Sequence, residues 1–337
     1  MKKKILVAIL IISLFTMLLA GCGQKASSDT GSDKFKVALI LPGKADDVSF
    51  NQAMYEGMKK VEEAYKDKIE VTYVEEVYEV SDIEPALRDF ASEEYDLVFG
   101  HGFQFMEPIV KVAEEFPDVH FALGTGYKTL PNTCVYDIKL EEGGYLMGTL
   151  AGMMTKTNKI GVVGGADAVE IYRGHEAYKF AAEKVNPDID IQELYTGDWR
   201  DAAKAKEGAI SMYDAGADII WHSGDGIGLG VVDAGKEKGK TVLGNVADQN
   251  ILAPEAVLSG VVYDFSAVIK QIIDDVQNDQ FTNKEEKFYW LTVANGGIKV
   301  GDFYEQENDV PQEIKDQLEQ VKKDLTEGKV EMPHFDK

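Results

Sequence analysis

The sequence predicts an α/β protein built as two similar doubly wound βα lobes with a cleft between them. Three observations carry that expectation. Short apolar runs alternate with helical patterns along most of the chain, as parallel strands covered by helices on both faces require. The pattern runs through once to Gly124 and begins again at Lys159. In each half, the opening strand and the strand that enters a glycine loop lie about 60 residues apart, so the second half repeats the first.

Phe35–Leu41 is a continuous apolar run of the buried-strand type and leads into a Pro-Gly loop. Ala53, Met54, Gly57, Met58, Val61 and Ala64 are spaced for one face of a helix over 50–65. Ile69–Val74 reads as a strand, and Ile83, Leu87, Phe90 and Ala91 place a helix after Ser81. Tyr95–Phe99 is a second buried strand, followed by Gly100-His101-Gly102-Phe103, a helix containing Ile109–Phe116 and a strand over His120–Gly124. The second half offers a strand and glycine turn over Lys159–Gly165, a helix over 172–185, a strand over Asp190–Tyr195 and a helix over Ala202–Tyr213. A strand over Ala217–His222, the loop Ser223-Gly224-Asp225-Gly226, a helix over Gly228–Lys238 and a strand over Thr241–Gly244 follow.

Ahead of both lobes stands an export signal. Lys2, Lys3 and Lys4 precede an uncharged, mainly apolar run from Ile5 to Ala20, and Leu19-Ala20-Gly21-Cys22 places small residues before a cysteine. The run is shorter than the roughly 20 residues of a spanning helix, so cleavage before Cys22 and lipidation of Cys22 are expected rather than a transmembrane anchor. Gly23–Asp33 is a polar tether that cannot bury a core. The expected location is the cell membrane, with the body held outside the cytoplasm by its lipid.

The formal net charge is −24, and removing the signal lysines lowers it further. Such a surface repels nucleic acid and anionic lipid. Cys22 and Cys134 are the two cysteines, so with Cys22 lipidated neither a disulfide framework nor a cysteine metal site can form. Cys134 sits in an apolar stretch and reads as a small core residue.

In doubly wound lobes, ligands bind at the carboxyl ends of the strands, which singles out four loops. In the first, Asp46, Asp47, Ser49, Phe50 and Asn51 either cap the next helix or offer polar groups and a ring to a ligand. In the second, His101, Gly102 and Phe103 combine open backbone with a ring that either stacks on a ligand or packs in the core. In the third, Trp199 stands among polar turn residues and suits a stacking platform. In the fourth, glycines at 224, 226, 228 and 230 do not match Gly-x-Gly-x-x-Gly and read as an open strand-to-helix turn. There His222 and Asp225 are expected to face the cleft as hydrogen-bonding groups, unless the histidine is structural. His101 and His222 hold corresponding places in the two halves and can clamp a ligand between them. The histidines lack metal-ligand spacing, and neither a Gly-x-Ser-x-Gly elbow nor a His-Glu-x-x-His is present, so no metal, cofactor or enzymatic activity is expected.

Several short motifs, taken in order, resemble one family. They are Asp47-Val48-Ser49-Phe50-Asn51-Gln52 with Gly57, Phe99-Gly100-His101-Gly102-Phe103 and Glu142-Gly143-Gly144-Tyr145-Leu146-Met147-Gly148. Further on come Ile160–Gly165, Arg173-Gly174, Val185-Asn186-Pro187, Trp199, Asp248-Gln249 and Ala253-Pro254-Glu255. Across nearly the whole chain after the tether, this set resembles the basic membrane protein family of lipoproteins, substrate-binding proteins of ABC transporters. The resemblance implies a type I periplasmic-binding fold with a hinge and an interlobe cleft. It also implies a permease partner and a purine nucleoside or nucleobase as ligand. Asp47 and Phe50 match the family's first-loop motif. Gly244-Asn245-Val246 stands where nucleoside binders carry Gly-Val-Asp, and Tyr263-Asp264 where they carry a lysine after a Val-Val pair, whereas Trp199 and His222 look like the nucleobase-binding branch. The expected lobes are 35–155 with about 264–287, and 156–263 with about 288–337. A sensory or regulatory lipoprotein without a transport role is the alternative, and a nucleoside-acting enzyme the more distant one.

Overall fold

A computed structural model describes residues 34–281 and 288–335. The expected signal, Cys22 and the tether up to Asp33 lie outside the described residues. Among the described residues no helix is long and apolar enough to cross a membrane.

The first sheet is seeded by β1 (Phe35–Ile40), whose residues from Val37 onward are fully buried. Around it lie β2 (Ile69–Val74), β3 (Leu97–Gly100), β4 (His120–Gly124), β5 (Thr133–Ile138) and, from late in the chain, β11 (Phe288–Leu291), in the order β11-β5-β4-β3-β1-β2. All its pairings are parallel. Helices α1 (Phe50–Tyr65), α2 (Val80–Ser92), α3 (Met106–Glu115) and α8 (Ser266–Gln277) cover it.

The second sheet repeats the plan. It comprises β6 (Lys159–Gly164), β7 (Asp190–Tyr195), β8 (Ile219–Ser223), β9 (Thr241–Val246), β10 (Val257–Tyr263) and β12 (Ile298–Val300), ordered β12-β10-β9-β8-β6-β7. Only its edge strand β12 runs antiparallel. Helices α4 (Leu140–Met154), α5 (Val169–Val185), α6 (Ala202–Asp214), α7 (Ile227–Lys238) and α9 (Gln312–Thr326) belong to this lobe. In both sheets strand order reverses beside the opening strand, which leaves a crevice at the strands' carboxyl ends. This is the type I periplasmic-binding fold.

The lobe boundaries need correction. Residues 140–154, assigned to the first lobe by the expected bounds, form helix α4, which packs on α5 and the second sheet, so the chain crosses at Lys139 rather than at 155. Strand β11, expected in the second lobe, pairs with β5 in the first. The crossings therefore lie at Lys139, at Tyr263–Asp264 and between Leu291 and Ile298. They strap one another: the Lys139 N–H donates to the Leu291 carbonyl at 3.0 Å and the Asp264 N–H to the Gly297 carbonyl at 2.9 Å. The Val293 N–H donates to the Glu142 carboxylate at 2.6 Å.

Close approach fixes α4 on α5. A Cβ added at Gly144 would lie 2.1 Å from the Gly174 carbonyl oxygen, and one at Gly148 would lie 2.1 Å from that of Tyr178. Backbone, not a movable side-chain end, occupies the space. Gly148→Ala is therefore expected to destabilise the protein by about 2 kcal/mol through overpacking. That exceeds the roughly 1 kcal/mol by which alanine favours a helix interior. Urea unfolding measures the difference, and a midpoint at or above wild type would show that the two helices part freely.

Candidate ligand-binding cleft

A cavity of about 560 Å³ opens where the strand ends of the two lobes meet. That volume is in the range of small-molecule sites. Of the residues singled out from sequence, Phe50, Gly102, Phe103, Trp199, Asp225, Asn245 and Tyr263 line it.

The aromatic residues come from both lobes. Phe50 opens α1, and its ring stacks on the His101 imidazole with centroids 3.8 Å apart and planes 19° from parallel. Trp199, from the loop before α6, rests on Gly165, where an added Cβ would lie 2.7 Å from Trp199 Cε3. Phe103 is 56% exposed and stands at the rim beside Tyr127. Across the mouth, the Arg200 guanidinium lies 3.9 Å from the centre of the Tyr78 ring.

The polar lining is rich in acceptors. Asn245 is 1% exposed, and its Oδ1 has no hydrogen-bond partner among the described residues. An orphaned buried acceptor on a residue that lines a cavity suits a ligand donor. The Tyr263 hydroxyl is pushed up in pKa by burial. Asp225 has its pKa pushed up to about 6, by burial first and the negative Asp47 second. The Phe50 amide and Arg200 favour its charged form; the nearby Ser49 hydroxyl does so too, without a well-aligned hydrogen bond.

Asp46, Asp47, Ser49, Asn51, His101 and His222 are not among the lining residues. Asp46 is exposed. Asp47 caps α1 instead of meeting a ligand: its carboxylate accepts the Ser49 N–H at 2.9 Å, the Asn51 N–H at 3.1 Å and the Gln52 N–H at 3.0 Å. Asn51 donates to Asp47 at 2.6 Å and accepts the Gly43 N–H at 3.0 Å, which fixes the loop. Ser49 is buried beneath it.

Neither histidine clamps a ligand. His101 is fully buried, with Nε2 3.0 Å from the Phe50 carbonyl and Nδ1 2.9 Å from the Tyr136 hydroxyl. A carbonyl can only accept, so Nε2 carries the proton and Nδ1 accepts from tyrosine. Burial lowers its pKa to about 3. His222 is also fully buried, with Nε2 2.7 Å from Gln249 Oε1, and burial lowers its pKa to about 4. Gly228 and Gly230 lie inside α7, in line with the helix expected over Gly228–Lys238. Gly228 makes room for the His222 ring, and Gly230 lets α7 approach the Ala202 carbonyl.

Sequence reading passed over Glu170, Arg200, Tyr78, Thr125, Ile138 and Leu140, which line the cavity. Glu170 is in the first turn of α5, and burial raises its pKa. Nearby Asp137 is pushed up to about 7 by burial and by the charge of Glu170. Glu170 follows the carboxyl end of β6, so the strand-end rule that picked the other loops reaches it too. Val48 in the first loop, Thr125 after β4 and Val246 at the end of β9 hold φ of 52°, 54° and 75°. For β-branched residues this is strained backbone, at about 1–3 kcal/mol each, of a kind that clusters at functional sites.

Known proteins are similar to this chain over most of the described body. The purine-binding protein of Brucella abortus is 28% identical over 302 residues, covering 88% of this chain and 83% of its own. The ABC transporter nucleoside-binding protein BmpA of Lactococcus lactis is 29% identical over 357 aligned residues and covers 99% of both chains. The solved structure of an ABC transporter solute-binding protein from Conexibacter woesei superposes with a TM-score of 0.72 at 27% identity, over 89% of this chain and 99% of that one. The family model described as ABC transporter substrate-binding protein PnrA-like (Bmp) matches residues 34–334, and the chain belongs to that family of substrate-binding proteins.

Proposed function

We propose that the chain is a lipid-anchored receptor outside the cytoplasm that closes its lobes on a purine base or purine nucleoside and delivers it to an ABC permease. The observation that carries this reading is the pair of aromatic side chains, Phe50 from one lobe and Trp199 from the other, lining a single cavity. Flat rings bind well between such walls. The names of the Brucella and Lactococcus relatives point the same way. Asn245, Asp225 and Glu170 are the groups suited to read the ligand's edge, with Tyr263 beside them.

A thermal-shift panel tests the ligand class. Adenine, guanine, adenosine, guanosine and inosine should include binders that stabilise the protein by about 2.7 kcal/mol at 100 times their dissociation constant. Ribose, glucose and amino acids should not. Trp199→Ala should weaken the best binder roughly tenfold with little loss of folding stability. Shifts from sugars or amino acids alone would sink the purine assignment.

Asp225 gives a pH signature in the unliganded protein. Its folded pKa, about 6, is above the ordinary carboxyl value, so its contribution to stability is fully present below about pH 4 and lost as pH rises through 6. Asp225→Asn should therefore gain stability relative to wild type between about pH 4 and 6 and hold that gain above pH 7. Urea unfolding across pH reads this difference; a flat difference would mean Asp225 is well solvated.

Cys22→Ser should move the protein from the membrane to the soluble fraction and leave ligand affinity unchanged, because only the lipid graft is lost. A Cys22→Ser protein that resists alkaline carbonate washing would identify residues 1–21 as an uncleaved anchor.

A further inference from the structure

Gln249 lies just after β9, in a motif that the ligand cavity does not use. Its side chain is 2% exposed and makes three directed contacts. Oε1 lies 2.7 Å from His222 Nε2 and 3.4 Å from the Asn245 backbone nitrogen, both in its own lobe. Nε2 lies 3.3 Å from the Val48 carbonyl oxygen, which belongs to the other lobe. Two of the partners admit one role each. The Asn245 N–H must donate and the Val48 carbonyl must accept, so the amide orientation is fixed. His222 must then donate through Nε2, which assigns its tautomer.

We propose that Gln249, oriented by His222, is the positioning residue that latches the two lobes in the closed state by donating to the Val48 carbonyl across the cleft. Both ends of the latch are built for the contact. Gly228 leaves room for the His222 ring, since an added Cβ would lie 2.4 Å from its Cε1, and a Cβ added at Gly244 would lie 3.0 Å from Gln249 Oε1. On the opposite lobe, Val48 holds φ at 52°, and its own N–H is tied to Gln52 Oε1 at 2.9 Å. Phe50 stands two residues further on, so the contact that closes the cleft also sets the ring lining the cavity. Asn245, whose N–H meets the same Oε1, carries the unpartnered Oδ1 at that cavity. The latch thus joins a candidate group from each lobe through one amide. It rests on the closing-receptor reading above but not on the ligand's identity.

Tyr78 and Arg200 face each other across the mouth, and Cys134 is buried, so a Tyr78→Cys/Arg200→Cys pair in a Cys22→Ser background gives a specific cross-link. The rate of bridging by a short bis-maleimide, read by intact mass without ligand, reports closure. Gln249→Glu is the decisive variant. It keeps an acceptor for His222 and Asn245 but sets a carboxylate oxygen against the Val48 carbonyl. The latch predicts bridging at least about fivefold slower in Gln249→Glu, the loss of one hydrogen bond, and as slow or slower in Gln249→Ala. If Gln249→Ala fails to fold, Gln249→Glu alone decides. Equal rates for Gln249→Glu and its parent, or a parent that never bridges, overturn the proposal. The variant comparison is made without ligand, so its outcome is independent of the purine assignment, which the thermal-shift panel on the chain with Tyr78 and Arg200 intact tests.

Discussion

The cleft is organised around a buried, neutral imidazole. His101 follows the third strand of the first lobe, where it donates to the Phe50 carbonyl, accepts from Tyr136 and lies flat against the Phe50 ring. Removing a partner of either hydrogen bond leaves a ring nitrogen of His101 unpaired in a buried site, which is costlier than losing one exposed hydrogen bond. The start of α1 is therefore tied to the core of the sheet, and the ring that lines the cavity is held from behind. Burial lowers its pKa to about 3, so His101 is neutral at neutral pH and the brace does not change charge there.

His222 holds the corresponding place in the second lobe and braces something different. Its partner is the Gln249 side chain rather than a backbone carbonyl of its own helix, and that amide reaches the other lobe. The two lobes share a strand order, and a histidine near the same strand end, yet one brace is internal and the other spans the cleft. A duplicated architecture supplies equivalent positions, and the local partner decides what each one does.

Most of the strands and helices were legible because their burial is periodic. β1 and α1 are found within a residue of their expected limits, since one is a continuous apolar run and the other has a single apolar face. The elements near the crossings were not legible. Helix α4 is buried on nearly every side and carries Gly143, Gly144, Gly148 and Gly152, so it shows neither a polar face nor strong helix propensity. Strand β5 was seen only as an apolar stretch around Cys134, and missing both put the first lobe boundary too late. β11 pairs with a strand some 150 residues earlier, and no local pattern reports such a partner. In the cleft, residue type identified the rings and Asp225. It misplaced His101, His222 and Asp47, because a polar side chain near a strand end serves a ligand or the fold equally well until its partners are known.

The charge around the cavity narrows what the proposed ligand can be. Lys44 and Arg200 are the cations lining it, against the carboxyls of Glu76, Glu79, Glu170 and Asp225. Arg200 is already engaged over the Tyr78 ring at the mouth, and Lys44 is exposed to solvent. Deeper in, Asp225 has a raised pKa, as do Glu170 and its neighbour Asp137, the mark of carboxyls with too little solvation and too much negative company. A phosphate brought among them would add like charge at low effective dielectric, where repulsion at about 4 Å reaches several kcal/mol per pair. A neutral ring system with N–H groups meets the opposite response, since Asn245 Oδ1 is an unused acceptor and a carboxyl near its pKa both donates and accepts. For the proposed ligand, the cleft chemistry therefore favours a base or nucleoside over a nucleotide, and it does so through this buried acidity.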